Sequence, residues 1–302
     1  MKLTNQKGLL WALATALISG VSVYVNKFGV AQVQDPFIYT TLKNSLVAFG
    51  FLAALTFTAS LRELRAFTPG QWAIWVGLGL IGGGIPFLLF FQGLAVASAP
   101  SAALIHKTLF IWVALLAVPL LDERLGWWQI GGLGILAIGQ WLLQPPSALG
   151  WGTGELLIIS ATLLWAIETI LAKKVLAGIS AQTAALGRMG IGALVMWLFL
   201  GLTGRAERAI VLTGTQWLWV AITAMLLMAY VWTWYRALKA APASLVTSVL
   251  TLGAIITVGL AVPFEGKGMA ESHVVALVVM MLGAALFAVR LPQQLPQPAE
   301  AT

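Results

Sequence analysis

The chain has 302 residues, 60% of them hydrophobic and only 9% charged, where a soluble domain carries about 25% charged residues. With a mean hydropathy of +0.94, a water-soluble fold is excluded, because no interior of this size hides so much apolar surface. The net charge of +7 sits mostly near the ends of apolar stretches, so it speaks for membrane topology and not for nucleic acid.

About ten apolar stretches of roughly 20 residues follow one another, each long enough to cross a hydrocarbon core of about 30 Å. Their approximate spans are 8–29, 36–58, 71–97, 99–121, 126–144, 153–177, 182–203, 215–239, 242–264 and 272–290. All should be helices, since a segment in lipid must satisfy its backbone hydrogen bonds internally and no alternating strand pattern is present. Thr68 before Pro69, and Asp35 before Pro36, read as N-caps with proline at the first helical position. The first span has no clear small-residue cleavage motif after it and is expected to be retained. The tail from Pro292 to Thr302, rich in proline and glutamine, is expected to be disordered.

The sequence also repeats itself. Thr68-Pro-Gly-Gln71-Trp72 returns as Thr213-Gly-Thr-Gln216-Trp217, and each copy opens an apolar region that ends in Ala-Val-Pro, at Pro119 and Pro263. Working outward pairs Lys27 with Lys173, Lys43 with Arg188, Leu94 with Leu238, Pro100 with Pro242 and Glu123 with Glu265. A period of half the chain suits the duplicated halves of a membrane transporter. Basic residues set the orientation: Lys2, Lys7, Arg62, Arg65, Arg124, Lys173, Lys174, Lys239 and Arg290 fall on one side, against Arg205, Arg208 and Lys267 on the other. Both termini are therefore expected in the cytoplasm. With an odd number of crossings per half, the second half enters from the opposite side. The expected fold is an all-α integral membrane protein of two inverted five-helix repeats, 1–146 and 147–291, followed by the tail 292–302.

Leu164-Trp165-Ala166 through Lys173, the Ala-Leu-Lys-x-Ala-Pro-Ala run at 237–243 and Leu-Leu-x-Glu-Arg-Leu at 120–125 resemble the tandem domains of EamA-type members of the drug/metabolite transporter superfamily. The resemblance covers residues 7–290. It implies a ten-helix carrier, in an inner membrane, that moves small metabolites, often outward, without ATP. The chain departs from the family where Phe110 and Leu252 replace a proline usual near the start of the fourth and ninth helices, and where Ser19-Gly20 replaces a Trp-Gly in the first.

Polar residues inside spans carry the candidate chemistry, because ionisable groups in the membrane usually face the bundle interior or a wet cavity. Glu168 lies about 21 Å along its helix from Gly154 and is the one carboxylate away from any span end. It reads as a cavity acid for substrate or coupling proton, against a structural role paired with a base. His106 and Lys107 stand about 10 Å into the fourth span, about 100° apart around the helix, so one of them faces inward. Lys43 and Arg188, matched across the repeat, are either snorkelling cations or a symmetric pair of cavity cations. Lys27, Lys173 and Arg236 lie near helix C-termini, where the dipole and interface favour a cation.

Thr15, Ser19, Ser22 and Asn26 form one polar stripe on the first helix, and Ser244, Thr247 or Ser248, and Thr251 form another on the ninth. Each faces substrate or a neighbouring helix. Gly79 and Gly83 give the third helix a small-residue face for close approach and, with Pro86, a candidate hinge. Trp165, Trp112, Tyr230, Trp232 and Trp234 sit deeper than the interfacial tryptophans and are candidates for an aromatic lining.

The candidate binding or coupling set is thus Glu168, Lys107, His106, Lys43, Arg188, Ser22, Asn26, Trp165 and Tyr230. There are no cysteines, and the two histidines lack metal-ligand spacing, so thiol catalysis and a metal centre are not expected. A Walker motif is absent, which leaves transport driven by a gradient or exchange. No cofactor is expected. The expected partners are a small-molecule substrate such as an amino acid or other carboxylate, membrane lipids, and protons as a candidate coupling ion, in a monomer or homodimer. The rival readings are a lipid-modifying membrane enzyme using Glu168 and His106, and a lipid-translocating protein.

Overall fold

Duplicated caps fix where the chain enters two of its helices. Thr68 and Thr213 each accept a hydrogen bond at 3.3 Å from the backbone N–H of Gln71 and Gln216. Each threonine N–H in turn donates to the glutamine side-chain oxygen at 2.9 Å. These reciprocal bonds satisfy donors that a helix start leaves free. The first and second copies of the repeated motif therefore build the same local structure.

The computed structural model describes residues 3–57, 61–97, 99–143, 152–265, 271–289 and 293–294. Its principal helices are α1 (Leu3–Val33), α2 (Pro36–Phe57), α3 (Pro69–Leu94), α4 (Ala99–Lys107 continuing as Leu109–Leu121), α5 (Trp127–Leu143), α6 (Thr153–Val175), α7 (Ala181–Leu202), α8 (Gly214–Ala240), α9 (Ala243–Leu250 continuing as Gly253–Glu265) and α10 (Glu271–Val289). Among the described residues nine helices are long and apolar enough to cross a membrane. The remaining one, α5, has 17 residues and is about 26 Å long. Side chains such as Leu10, Phe49, Leu115, Leu194, Leu198 and Leu282 are exposed on the outside of the bundle, as a lipid-facing surface requires.

Packing follows a two-fold rule. α1 lies against α8 and α9, α6 lies against α3 and α4, α2 pairs with α7, and α5 pairs with α10. Exchanging the halves maps this set of contacts onto itself. The halves are two inverted five-helix repeats, as the odd crossing number demands.

Opposite ends of the α2–α7 pair carry matched clasps of different chemistry. At one end Glu63 accepts hydrogen bonds from the Ser180 N–H at 3.0 Å and the Thr183 hydroxyl at 2.7 Å. At the other, Asp35 faces Arg205 and Arg208 at 3.7 and 3.9 Å. By the repeat Asp35 matches Ser180 and Glu63 matches Arg208, so donor and acceptor have changed places. Partial burial opposes the charge on Glu63, but its bonds from Ser180 and Thr183, with Lys239 nearby, hold its carboxyl below the ordinary value of 4.5. Glu123 also joins the halves. It is buried and accepts from the N–H groups of Ala243 at 2.6 Å and Ser244 at 3.2 Å, and from the Ser244 hydroxyl, at the start of α9.

Two helices expected to be continuous are broken. α4 interrupts at Thr108 and α9 at Thr251-Leu252, beside Phe110 and Leu252, where the family proline is missing. Threonine takes over the disruption: the hydroxyls of Thr108 and Thr251 each donate at 2.6 Å to a carbonyl three residues back, which competes with the helical ladder. α3 carries a π-helical turn over Gly79–Gly84. There it meets α7 so closely that a Cβ on Gly83 would lie 1.8 Å from the Arg188 carbonyl oxygen. The expected close approach of Gly79 and Gly83 is made against α7. Of the tail 292–302, only Gln293–Gln294 are described, and they pair antiparallel with Glu123–Arg124. The boundary between 146 and 147 lies outside the described residues, as does Lys267.

Candidate functional site

Between the halves lies a cavity of about 500 Å³, within the range of small-molecule sites. Its wall takes residues from α1, α3, α4 and α5 of the first half and from α6, α7, α8 and α9 of the second. The cavity extends from the middle of the bundle toward the end where α1 and α3 finish, as Asn26, Phe91, Lys107 and Val258 show.

Glu168 forms the charged centre. Only 1% exposed, it accepts the Tyr235 hydroxyl on Oε1 at 2.6 Å, and its Oε2 lies 3.5 Å from Arg188 Nη1. A charge this deep persists because it is both paired and hydrogen-bonded. Glycine makes the room: a Cβ on Gly82 would sit 2.4 Å from Glu168 Cγ. The neighbouring Trp165 indole donates to the Gly82 carbonyl at 3.0 Å, which ties α6 to the π-helical turn of α3.

A second polar centre stands on α1. Asn26 Oδ1 accepts from the Tyr39 hydroxyl at 2.7 Å and from Lys43 Nζ at 3.0 Å, while its Nδ2 donates to the Ser22 carbonyl and hydroxyl. Lys43 is 9% exposed and lies behind Asn26, outside the cavity wall. The other eight candidates from the sequence, Glu168, Lys107, His106, Arg188, Ser22, Asn26, Trp165 and Tyr230, all line the cavity. His106 packs edge-on to Trp165 with ring centroids 5.0 Å apart, and Phe90 closes the group at 5.2 Å from His106 and 5.6 Å from Trp165. No hydrogen bond joins Glu168 to His106 among the described residues.

Several wall atoms have no partner in the protein. Gln140 Nε2, Arg188 Nε, Trp234 Nε1 and His106 Nδ1 are buried without a hydrogen bond, although native interiors satisfy the large majority of such groups. The stripes divide by the same test. On α1, Ser19, Ser22 and Asn26 face the cavity while Thr15 returns its hydroxyl to the Trp11 carbonyl. On α9, Thr247 and Thr251 face it and Ser244 serves Glu123. Lys173 donates to the carbonyls of Leu238 and Ala241 at the end of α8, at 2.7 and 2.8 Å, a helix-terminus role on a neighbouring helix. Arg236 lies 4.2 Å from the Trp232 ring.

Tyr235 and Gln140 complete the site and were not candidates from sequence. Gln140 is one of two polar side chains in the apolar run of α5 and was visible as such. Tyr235 carried no signal, because a tyrosine between Trp234 and Arg236 reads as interfacial.

Among curated proteins none matches the sequence. A solved crystal structure, described only as a protein, superposes with a TM-score of 0.78 over 94% of this chain and 97% of its own, at 19% identity. That likeness shows the fold alone. The model of the EamA-like transporter family matches residues 6–144 and 152–289, once over each five-helix repeat whose contacts mirror one another, so the chain belongs to the EamA-like transporter family.

Proposed function

We propose that the protein is a secondary carrier that exports a small carboxylate-bearing metabolite across the inner membrane by alternating access, with both termini in the cytoplasm. The observation that carries this reading is the position of the cavity, walled by helices of both inverted halves. Rocking one half against the other around such a site gives two near-equivalent states, one facing each side. With the basic residues of the short loops on the cytoplasmic side, the cavity lies toward the outer face, the arrangement of an outward-facing state. Glu168, the buried acid in the wall between the halves, is the group we assign to coupling transport to protons.

The experiment is counterflow in proteoliposomes. Vesicles holding purified protein and preloaded with one unlabelled carboxylate should concentrate the same labelled carboxylate from outside. Absence of counterflow for amino acids and for other carboxylates alike overturns the carrier reading.

A further inference from the structure

The cavity wall holds several buried donors without partners. Arg188 Nε, Trp234 Nε1 and Gln140 Nε2 lack partners on side chains at least nine-tenths buried, and each can only donate. Lys107 adds an ammonium with no ion pair or hydrogen bond among the described residues. The strong acceptors are already engaged: both oxygens of Glu168 face Tyr235 and Arg188, and Asn26 Oδ1 holds Tyr39 and Lys43. Thr169, Thr247, Thr251 and Thr257 give their protons to backbone carbonyls, so an incoming ammonium is left with hydroxyl lone pairs, the Gln140 amide oxygen and the His106 ring, none of them a carboxylate.

Charge points the same way. Lys107 and Arg188 set two positive charges against the single negative charge of Glu168. A monoanion neutralises the remainder, whereas a zwitterion leaves it in place and brings an ammonium that finds no carboxylate free to receive it. Beside the donors stands a ring wall. Phe87, Phe90 and His106 surround Trp165 with centroids at 5.0–5.6 Å, and Tyr230 stacks on Trp234 at 6.2 Å and 13°. Such surfaces take a flat ring in offset or edge contact.

We propose that the cargo is a ring-bearing organic anion, a flat carboxylate without an ammonium group. This narrows the carrier reading above and rests on it. Phenylpyruvate and phenylalanine test it as a pair, since they share a benzyl skeleton and a carboxylate and differ in a keto oxygen against an ammonium. Calorimetry on purified protein should give phenylpyruvate at least tenfold tighter binding than phenylalanine, and at least tenfold tighter than pyruvate, which lacks the ring. Lys107→Gln should lower phenylpyruvate affinity at least tenfold, while Lys107→Arg, which keeps the charge, should retain most of it. Gln140→Leu, which removes a donor and adds no charge, should weaken phenylpyruvate.

Equal or tighter binding of phenylalanine overturns the proposal, as does equal binding of pyruvate or no binding of phenylpyruvate. The same ligands in proteoliposomes separate the two levels. Phenylpyruvate bound with the expected preference while neither it, phenylalanine nor any other carboxylate is moved leaves the anion site standing and removes the carrier reading. Phenylalanine moved in preference to phenylpyruvate does the reverse.

Discussion

Arg188 and Lys43 hold the same place in the two repeats and grip different partners. Arg188 pairs with the carboxylate of Glu168 at 3.5 Å, while Lys43 donates to the amide oxygen of Asn26 at 3.0 Å. Glu168 matches Ser22 across the repeat, one turn from Asn26 on α1. Duplication has thus given one centre whose cation meets a carboxylate and one whose cation meets only an amide. Near-equal backbones permit two access states, and unequal side chains give them different chemistry.

Arg188→Leu should be costly, because it leaves the Glu168 carboxylate buried without its cation. Removing one partner of a buried pair costs about 3–5 kcal/mol. Adding Glu168→Gln to the same chain should recover much of the loss, since a glutamine oxygen still accepts the Tyr235 hydroxyl. Melting temperatures of the two single variants and the double variant in detergent check this. An additive double variant would show that the pair is not coupled.

Gly83→Ala should separate α3 from α7, as its Cβ would come 1.8 Å from the Arg188 carbonyl oxygen. Overpacking of this kind costs about 1–3 kcal/mol or more. Gly77→Ala, on the same helix with nothing within 4 Å, should leave the melting temperature unchanged or raise it slightly. Thermal unfolding of both variants measures the contrast, and equal melting temperatures would contradict it.

Arg62 and Glu207 are exposed and matched across the repeat. Inverted halves place them on opposite faces of the membrane, so Arg62→Cys should react with an impermeant thiol reagent only from the cytoplasmic side and Glu207→Cys only from the outside. The cysteine-free chain gives no background. Labelling of both from one side would contradict the inversion.

Glu63 predicts a pH dependence outside the membrane. Its carboxyl is held below 4.5 in the folded protein, so its clasp to Ser180 and Thr183 contributes stability that is fully present above the unfolded-state value. That contribution is lost as pH falls through the lower, folded-state value. Glu63→Gln should remove this acid limb, so that wild type and variant draw together in melting temperature as pH falls below 4.5. A constant difference across the range would mean that the charge plays no part.

Much of this was legible in the sequence because lipid constrains the chain so severely. Spans, caps and the duplication all follow from apolar runs and from Thr68-to-Gln71 chemistry that any helix start needs. Cavity residues were legible as intramembrane polar groups, which must find a partner or a cavity. What the sequence withheld was which of these two each group finds. Lys43 and Lys107 look alike in an apolar run, yet one bonds Asn26 behind the wall and the other faces the cavity, and helix rotation within packing decides between them. The breaks at Thr108 and Thr251 were hidden for a related reason: a threonine in a helix usually returns its hydroxyl to the backbone without interrupting it.

Glu168 carries the last prediction. In this state Tyr235 and Arg188 occupy its two oxygens from α8 and α7, both in the second half, while its Cγ fills the space that a Cβ on Gly82 of the first half would need. Movement of the first half against the second changes the wall around the acid without needing to break the pair. Glu168→Gln keeps the Tyr235 bond and cannot exchange a proton. It should abolish accumulation driven by a pH gradient in proteoliposomes and spare downhill exchange of the same cargo. Loss of binding altogether would make Glu168 a substrate contact, and wild-type accumulation at every pH would remove it from the mechanism.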